Sequence, residues 1–260
     1  MNILVTNDDG IFAKGILELA KIASNFGNVY IVAPDSQKSA ISHGISINNP
    51  IMVKKVKIEN FPEAYSVSGT PADCVKIGYE EILKDINIDL VLSGINIGPN
   101  LGTDVIYSGT VSAAIEASII GVPAIAFSYN SHEYDSKKYM EAREYIKDFM
   151  KMYEEDMDKF KNIVLNINIP NLKEQEFKGF KSCFLGERKY ENAFVKRKDP
   201  RGNNYYWMYG EPMDEEIEGS DLYYIKKGYM TITPIKYDFN DSKNVKILEN
   251  FLQGKGLTIE

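Results

Sequence analysis

The sequence predicts an α/β fold: a Rossmann-like, mostly parallel sheet flanked by helices, followed by a β-rich C-terminal arm and a terminal helix. Short, β-branched apolar runs recur through the first two-thirds of the chain. Segments whose apolar residues have helical spacing separate these runs, and strands that alternate with helices pair in parallel through right-handed crossovers. Beyond about residue 175 the alternation ends, and charged and aromatic residues become frequent.

The core elements follow from apolar spacing and from the residues that interrupt it. Gly27 is expected to end the first helix, and the loose alternation of residues 45–58 predicts an antiparallel excursion. The predicted helices are Ile16 to Ala23, a segment starting near Cys74, residues 111–120 and residues 136–156. The predicted strands are Ile3–Asn7, Val29–Ala33, Ala64–Ser68, Asp89–Ser93, Val122–Phe127 and Ile163–Ile169.

The last third of the chain is expected to be an appendage of the core. We therefore divide the chain into a Rossmann-like catalytic core, residues 1–175, and a β-rich arm with a C-terminal helix, residues 176–260. Tyr229 to Ile235 alternate as a strand, and Gly254 is expected to end the last helix. An arm of this kind buries little apolar surface by itself, so we expect it to pack on the core or on a neighbouring subunit.

Composition narrows the class of protein. A net charge of −7 argues against a general nucleic-acid-binding surface, so no specific nucleic-acid partner is expected. No apolar run approaches the roughly 18–20 residues of a membrane span, and no signal peptide is expected because carboxylates are present by position 8. Cys74 and Cys183 lack metal-type spacing and are expected to be reduced thiols. These features predict a soluble, cytoplasmic protein.

Two adjacent carboxylates, Asp8 and Asp9, follow the first predicted strand, and Gly10 comes directly after them. The turn places both at the carboxyl edge of the sheet, where open α/β sheets keep their ligand sites. Adjacent like charges repel, so a cation is expected beside them. Hard oxygen ligands suit Mg²⁺, Mn²⁺ or Ca²⁺ rather than zinc. Turn chemistry alone would also explain an Asn-Asp-Asp-Gly sequence.

Polar loops follow four of the predicted strands, and in a parallel sheet all four emerge on the same edge. Ser39 and Asn96 offer neutral oxygens that could complete a metal shell, with positions left open for water and substrate phosphate. Taken singly, Ser39 also fits an exposed or helix-capping serine, and Asn96 fits a turn residue that binds its own backbone. The four loops are residues 7–10, 34–39, 68–71 and 93–96.

Residues 93–118 form the densest motif, with repeated glycines that let the backbone approach a ligand. Ser108, Gly109 and Thr110 open a helix there, so they are predicted to bind a phosphate, although an ordinary N-cap explains the same residues. The motif is neither a Walker loop nor a dinucleotide fingerprint, because the Gly-Lys-Ser/Thr ending and the required glycine spacing are missing. Further substrate-binding candidates are Asn7, Gly69 and Thr70.

His43 follows the loop that carries Ser39 and is a candidate to donate a proton to phosphate or to the leaving oxygen. A partly buried histidine bonded to backbone would fit as well. His132 is expected at the rim of the site. A basic and aromatic cluster could contact a base or phosphate, or could belong to an exposed arm or subunit interface. Its residues are Lys196, Arg197, Lys198, Arg201, Tyr205, Tyr206 and Trp207.

Several of these segments, in this order, resemble the SurE survival-protein family of nucleotidases over most of the chain. The matching motifs are TNDDG at 6–10, APD at 33–35, SGTPADCV at 68–75, SGINIGPNLGTDVIYSGTVSAAIEAS at 93–118 and GYMTITPIKYD at 228–238. The resemblance implies a Rossmann-like core, an arm exchanged between subunits, and metal ligands at Asp8, Asp9, Ser39 and Asn96. One departure is Ala40, which stands where many members have glycine.

The expected function is divalent-metal-dependent hydrolysis of nucleoside 5′- and 3′-monophosphates to nucleoside and phosphate, and the resemblance adds an exopolyphosphatase side activity. One Mg²⁺ or Mn²⁺ per subunit would activate a water that either Asp8 or Asp9 orients or deprotonates, with His43 as a third catalytic candidate. The arm is expected to form a homodimer or homotetramer. The alternatives are a covalent aspartyl-phosphate route, a non-hydrolytic nucleotide- or phosphate-binding sensor, and a protein whose role is its assembly.

Overall fold

The computed structural model describes residues 1–133, 135–192 and 194–255, and a nine-stranded sheet at its centre confirms the predicted α/β class. Within these ranges, no helix has both the length and the apolar character needed to span a membrane. The strands are β1 (Asn2–Thr6), β2 (Asn28–Pro34), β3 (Val53–Lys55), β4 (Ala64–Val67), β5 (Leu90–Ile97), β6 (Ala124–Tyr129), β7 (Val164–Ile169), β8 (Phe180–Ser182), β9 (Arg188–Glu191), β10 (Phe194–Lys198), β11 (Asn204–Met208), β12 (Glu211–Asp214) and β13 (Met230–Ile235). The α-helices are α1 (Lys14–Ala23), α2 (Pro71–Ile77), α3 (Gly109–Ile119), α4 (Ser136–Asp156), α5 (Asp221–Ile225) and α6 (Ser242–Gly254). A π-helical turn covers Gly78–Ile82, and 3₁₀ turns cover Gly102–Ile106 and Met157–Phe160.

The order of strands across the central sheet is β3-β4-β2-β1-β5-β6-β7-β13-β8. The strands from β4 to β7 in this order run parallel. β13 is antiparallel to β7 and pairs with β8 on its other side, and β3 is antiparallel to β4. From β1 the chain extends the sheet on one side through β2 and β4, and later on the other side through β5, β6 and β7. The strand order therefore reverses between β1 and β5, and such a switch point leaves a crevice at the carboxyl ends of the strands.

Helices cover both faces of the sheet, because alternate residues of each strand point to opposite sides. On one face, Ile3 of β1 belongs to a buried cluster with Leu19 of α1 and Ile146 of α4. On the other face, Leu4 belongs to a second cluster with Val111 of α3. The packing of α3 against the β1 side of the sheet brings the start of that helix to the carboxyl end of β1.

The first helix ends earlier than predicted. α1 ends at Ala23 rather than at Gly27, because the Asn25 side chain donates to two carbonyls of the last turn. Gly27 has a different role, since a Cβ built there would stand 1.9 Å from the carbonyl oxygen of Met1. The glycine is therefore required for a close approach of two backbone segments and not for helix termination.

The strand that leads into the glycine-rich motif is longer than predicted. β5 continues past Ser93 to Ile97, with a shift in its pairing with β6 between Ser93 and Asn96. Asn96 therefore lies in the last part of a strand and not in the loop after it. Within residues 45–58 the strand is Val53–Lys55, and its pairing with β4 confirms the predicted antiparallel direction.

The β-rich arm consists of two antiparallel ribbons, in which β9 pairs with β12 and β10 pairs with β11. Many of its apolar side chains are exposed, including Trp207 at 61%. None of the residues of α6, all of which the structure describes, is buried, and Phe239 before it is 95% exposed. The predicted strand from Tyr229 to Ile235 is confirmed as β13, which lies in the central sheet.

A buried carboxylate, Asp221 at the start of α5, fixes the root of the arm. It accepts hydrogen bonds of 2.8 Å from the backbone amides of Gly102, Gly186 and Leu222. Arg188 adds two ion pairs, one to an aspartate in the 3₁₀ turn that contains Gly102 and one to an aspartate in β12. These contacts join the arm to the segment that follows β5.

Candidate functional site

The four predicted metal ligands lie on one edge of the sheet, at the switch point between β1 and β5. Asp8 and Asp9 follow β1, and Asn96 lies near the end of β5. The loop after β2 brings Ser39 to the same place, because the amide of Lys38 donates to the backbone oxygen of Asp8 at 2.7 Å. The crevice that the topology leaves open is therefore lined by oxygen-bearing side chains.

Asp8 is a buried carboxylate that is only 4% exposed. The Thr110 hydroxyl donates to its Oδ1 atom, and a Cβ built on Gly109 would stand 3.1 Å from its Oδ2 atom. α3 thus begins directly against this side chain, and the helix dipole favours its negative charge. Burial raises the pKa of Asp8 to about 6; the bond from Thr110 opposes the rise, and the charge of Asp9 adds to it. A cation bound beside such a carboxylate would stabilise its charged form.

Asp9 is half-buried and is linked to Ser39 through the side chain of Gln37. Gln37 Nε2 donates to Asp9 Oδ1 at 3.4 Å and to Ser39 Oγ at 2.9 Å. Burial raises the pKa of Asp9, while hydrogen bonds from the Ile97 backbone and from Gln37 oppose the rise. Because Ile97 follows Asn96, the carboxylate of Asp9 also lies beside the end of β5.

The orientation of Asn96 is set by a contact with the residue that follows β5. Its Nδ2 atom donates to the carbonyl of Gly98 at 2.9 Å, so Oδ1 is the atom left to face the crevice. Gly94 lets β5 reach this position, since it has a φ of +130° and a Cβ there would stand 2.3 Å from the Phe127 carbonyl oxygen. The peptide bond between Gly94 and Ile95 is cis.

The donor set fits a single hard cation. It offers two carboxylates, one hydroxyl and one amide oxygen, a combination suited to Mg²⁺ or Mn²⁺. The Oδ1 atom of Asn7, next to Asp8, is buried and has no hydrogen-bond partner among the described residues, so an oxygen ligand or water partner is available there too. Among the described residues, no group of three or more His, Cys, Asp or Glu side chains is arranged so that it could hold a metal ion.

The predicted phosphate-binding residues at the start of α3 are partly engaged in other contacts. Ser108 is the N-cap, and its Oγ accepts a hydrogen bond from the Val111 amide at 3.1 Å. The Thr110 hydroxyl is bonded to Asp8. Gly109 lies between them and leaves room for the aspartate. Phosphate binding by Ser108, Gly109 and Thr110 stays a prediction.

The other predicted substrate-binding residues stabilise turns. Thr70 and Asp73 form a capping box at the start of α2, and a Cβ on Gly69 would stand 2.6 Å from the Asp73 carboxylate. Asn7 Nδ2 donates to the carbonyl of Gly10 at 3.0 Å and closes the turn that carries the two aspartates. Substrate contact by Asn7, Gly69 and Thr70 stays a prediction as well.

His43 is paired with a carboxylate that the sequence does not single out. Its Nε2 atom lies 2.8 Å from Oε2 of Glu116, which is 6% exposed on α3. Pairing with His43 lowers the pKa of Glu116, although burial opposes that change. At 1.5 Å per residue, Glu116 lies about 10 Å along the helix from Gly109. The catalytic role of His43 stays a prediction. The sequence signal that could have identified Glu116 is an acidic residue among small apolar neighbours, Ala113, Ala114 and Ala117.

His132 lies at the rim of the site, whereas the basic and aromatic cluster lies on the arm. His132 is exposed, and a Cβ built on Gly98 would stand 3.5 Å from its Nδ1 atom, which places it at the rim beside the end of β5. The basic and aromatic cluster lies instead on the β10–β11 ribbon, where Arg197 is paired with Tyr205. The side chains of both strands are exposed, so the cluster belongs to the arm.

Comparisons with known proteins identify the family of this chain. The family model described as "Survival protein SurE" matches residues 3–192. A protein from Alkaliphilus metalliredigens (strain QYMF), named 5′-nucleotidase SurE, is 47% identical over 254 residues and covers 96% of this chain and 98% of its own length. A protein of the same name from Kosmotoga olearia is 46% identical over 246 residues, with 94% of this chain and 95% of that protein covered.

A solved structure has the same fold. The crystal structure of the Sure protein from Aquifex aeolicus is 38% identical to this chain and has a TM-score of 0.80, with 96% of this chain and 100% of that chain covered. Both the sequence relatives and the solved structure therefore span nearly the whole molecule, arm included. Together with the family model, which matches well over half of the residues, they show that the chain belongs to the SurE family.

Proposed function

We propose that this SurE-family chain is a phosphomonoesterase that hydrolyses nucleoside 5′- and 3′-monophosphates to nucleoside and phosphate. The observation that carries the proposal is the pair of carboxylates, Asp8 and Asp9, at the switch point of the sheet and against the N-terminus of α3. Carboxylates alone repel a phosphate ester, so a site built on them requires a cation to accept one. The name 5′-nucleotidase SurE of both relatives supports nucleotides as the substrate class.

The proposed cofactor is one Mg²⁺ or Mn²⁺ per subunit. Asp8, Asp9, Ser39 and Asn96 would hold it through their side-chain oxygens. When bound, such an ion lowers the pKa of a water and offsets charge on the transferring phosphoryl group. The raised pKa values of both aspartates and the unpaired Oδ1 atom of Asn7 support this assignment.

The surroundings of the two aspartates support different roles. Asp8 is buried and Thr110 holds one of its oxygens, so Asp8 is suited to binding the metal and not to proton transfer. Asp9 is half-buried and keeps contact with solvent, so we assign to it the orientation of the attacking water and the acceptance of its proton. With a proton on both ring nitrogens, His43 could donate the Nδ1 proton to the leaving oxygen while Nε2 stays paired with Glu116.

The proposal is tested by phosphate release from nucleoside 5′- and 3′-monophosphates and from a short polyphosphate. The protein is first stripped with a chelator, and Mg²⁺ or Mn²⁺ is then added back separately. We expect turnover only with metal, and we expect Asp9→Asn to remove most of it. Asp148→Asn, at an exposed position on α4, is the matched control. Metal-dependent binding of intact nucleotide without phosphate release over hours would contradict hydrolysis and favour the sensor function.

We also propose that residues 176–260 serve assembly into a homodimer or homotetramer, and that the protein works in the cytoplasm. The apolar side chains exposed on the β10–β11 ribbon and on α6 support an assembly role, since apolar surface of this extent marks interaction sites. Cys74 and Cys183 are both free thiols, which supports a reducing compartment.

The assembly role is tested by removing the β10–β11 ribbon. Glu191 and Glu211 lie opposite each other in the β9–β12 ribbon, so an Asn-Gly pair can replace residues 192–210 as a two-residue hairpin. We expect the shortened protein to have a lower mass in solution by light scattering than the full chain. An unchanged mass with an unchanged fold would contradict a role of this ribbon in assembly.

A further inference from the structure

The segment that carries Ser39, residues 35–44, is called the Ser39 loop, and contacts on both sides of Ser39 hold it in place. At its start the Lys38 amide donates to the backbone oxygen of Asp8 at 2.7 Å. Near its end the His43 ring lies 2.8 Å from Glu116. The proposed metal ligand Ser39 stands between these two anchors and has an exposed side chain. The position of its hydroxyl therefore depends on how firmly both anchors hold.

The backbone of the Ser39 loop adopts a conformation that needs such support. Ala40 and Ser42 have φ angles of +56° and +54°, in the left-handed region that L residues avoid. Residues in this region persist where the surrounding structure over-determines them, and they are frequent at ligand clamps. One support is the hydrogen bond from the Ser42 amide to the Tyr107 carbonyl at 3.1 Å. Among the described residues of the loop, only His43 makes a polar side-chain contact with α3.

Glu116 is suited to anchor the loop because it lies on the helix that also holds Asp8. Thr110, in the first turn of α3, bonds the Asp8 carboxylate, and Glu116 projects from the same helix about two turns later. Burial of a carboxylate is costly unless it is paired, and both oxygens of Glu116 have cationic or hydrogen-bonding partners: His43 at 2.8 Å and Lys76 at 3.5 Å. One rigid helix thus holds one metal ligand directly and another through His43.

We propose that Glu116 is a positioning residue that pins His43 and thereby fixes the Ser39 loop, so that Ser39 completes the metal shell with Asp8 and Asp9. The inference rests on the proposed function, because it assigns Glu116 to the metal site of that reaction. Glu116 touches neither metal nor substrate in this role. Its effect reaches the site only through His43, so the two residues must act as one unit.

The test measures Mn²⁺ affinity by electron paramagnetic resonance, and amide hydrogen exchange of the Ser39 loop in chelator-treated protein. We expect Glu116→Ala and His43→Ala each to weaken Mn²⁺ binding by about 10-fold, the lower end of the range for residues that orient metal ligands. Both variants should also speed exchange of the loop amides while leaving those of β1 unchanged. Glu116→Gln, which keeps a hydrogen-bond acceptor for the His43 ring, should restore most of the affinity.

Two controls separate positioning from a general loss of structure. Lys76→Met removes the second partner of Glu116 without touching the loop, so it should bind Mn²⁺ like the wild type. The double variant of His43 and Glu116 should be no weaker than either single variant, because residues that act as a unit are not additive. His43→Ala keeps α3 intact and remains informative even where Glu116→Ala fails to fold.

Wild-type Mn²⁺ affinity and wild-type loop exchange in His43→Ala and in a folded Glu116→Ala, or fully additive effects in the double variant, would overturn the inference. Its failure is distinguishable from failure of the proposed function. A wild-type protein that binds Mn²⁺ but releases no phosphate contradicts the hydrolase and leaves the affinity comparison intact. A wild-type protein that binds no Mn²⁺ contradicts the metal site, and with it the assignment of Glu116.

Discussion

Gly109 lies in direct contact with Asp8, and a side chain at the glycine would displace the aspartate. A Cβ built on Gly109 would stand 2.8 Å from the Cβ of Asp8 and 3.2 Å from the carbonyl oxygen of Lys38. The first residue of α3, the turn after β1 and the Ser39 loop therefore meet at a single point. A change of one methyl group there acts on three parts of the proposed metal site.

We expect Gly109→Ala to lower kcat/KM by about 100-fold, the effect of displacing a catalytic group by roughly 1 Å. The same overpacking should lower the free energy of unfolding by about 1–3 kcal/mol. Steady-state kinetics and urea denaturation measure the two effects. Gly254→Ala is the matched control, because a Cβ there meets nothing within 4 Å. Wild-type turnover in Gly109→Ala would contradict the close contact.

Metal should stabilise the wild-type protein and not a variant that lacks a ligand. At a concentration 100-fold above its Kd, an ion that binds only the folded state adds about 2.7 kcal/mol to the free energy of unfolding. We expect Mn²⁺ to raise the Tm of the wild type and of Asp148→Asn, and to raise that of Asp8→Asn much less. Calorimetry measures the shift, and circular dichroism checks that Asp8→Asn is folded. An equal rise in all three proteins would argue against Asp8 as a ligand.

The two cysteines should be unreactive in the folded protein. Burial raises the pKa of the Cys183 thiol to about 11 and raises the pKa of the Cys74 thiol well above its usual range. Because the thiolate is the reactive form, an aromatic disulfide reagent at pH 8 should label neither residue in the native state and both in denaturant. Absorbance of the released aromatic thiolate measures the labelling. Rapid modification of either cysteine before denaturation would be inconsistent with these environments.

Alanine at position 40 is expected to make the folded protein less stable than glycine would. Its φ of +56° costs an L residue roughly 1–2 kcal/mol, and glycine avoids this cost. Since glycine also gains freedom in the unfolded chain, we expect Ala40→Gly to raise the free energy of unfolding by about 1 kcal/mol at most. Ala142→Gly, inside α4, should lower it by about 1 kcal/mol or more. Urea denaturation measures the change in the free energy of unfolding of each variant. A lower free energy of unfolding in Ala40→Gly would contradict the left-handed backbone at this position.

The position of Asp8 and Asp9 at the carboxyl edge of the sheet could be predicted, because it depends on local sequence pattern. Asp8 and Asp9 end a β-branched run, and the alternation of strands with helices is enough to bring the loops after the strands to one edge. The extent of β5 could not be predicted in this way. Gly94 and Asn96 are typical of loops, but the pairing with β6 resumes at Asn96 after a shift in register, and the strand continues to Ile97.

Side-chain partners from distant segments also could not be predicted. The bond between Thr110 and Asp8 joins residues 102 positions apart, and the pair of His43 and Glu116 joins residues 73 positions apart. No local composition specifies such partners, since they depend on how the loop after β2 crosses α3. The end of α1 was missed for a different reason: Gly27 looks like a helix stop, but the Asn25 side chain ends the helix first.

The hydrogen bonds of Asp221 affect the order in which segments of the growing chain reach their native structure. Its carboxylate accepts from the amide of Gly102, 119 residues earlier, and from the amide of Gly186, 35 residues earlier. Contacts so distant in sequence form late, because the intervening chain must be ordered first. Until the ribosome has released α5, the buried amide of Gly102 lacks this acceptor. The segment after β5, which begins at the proposed metal site, therefore reaches its final hydrogen bonding only when most of the arm has been synthesised.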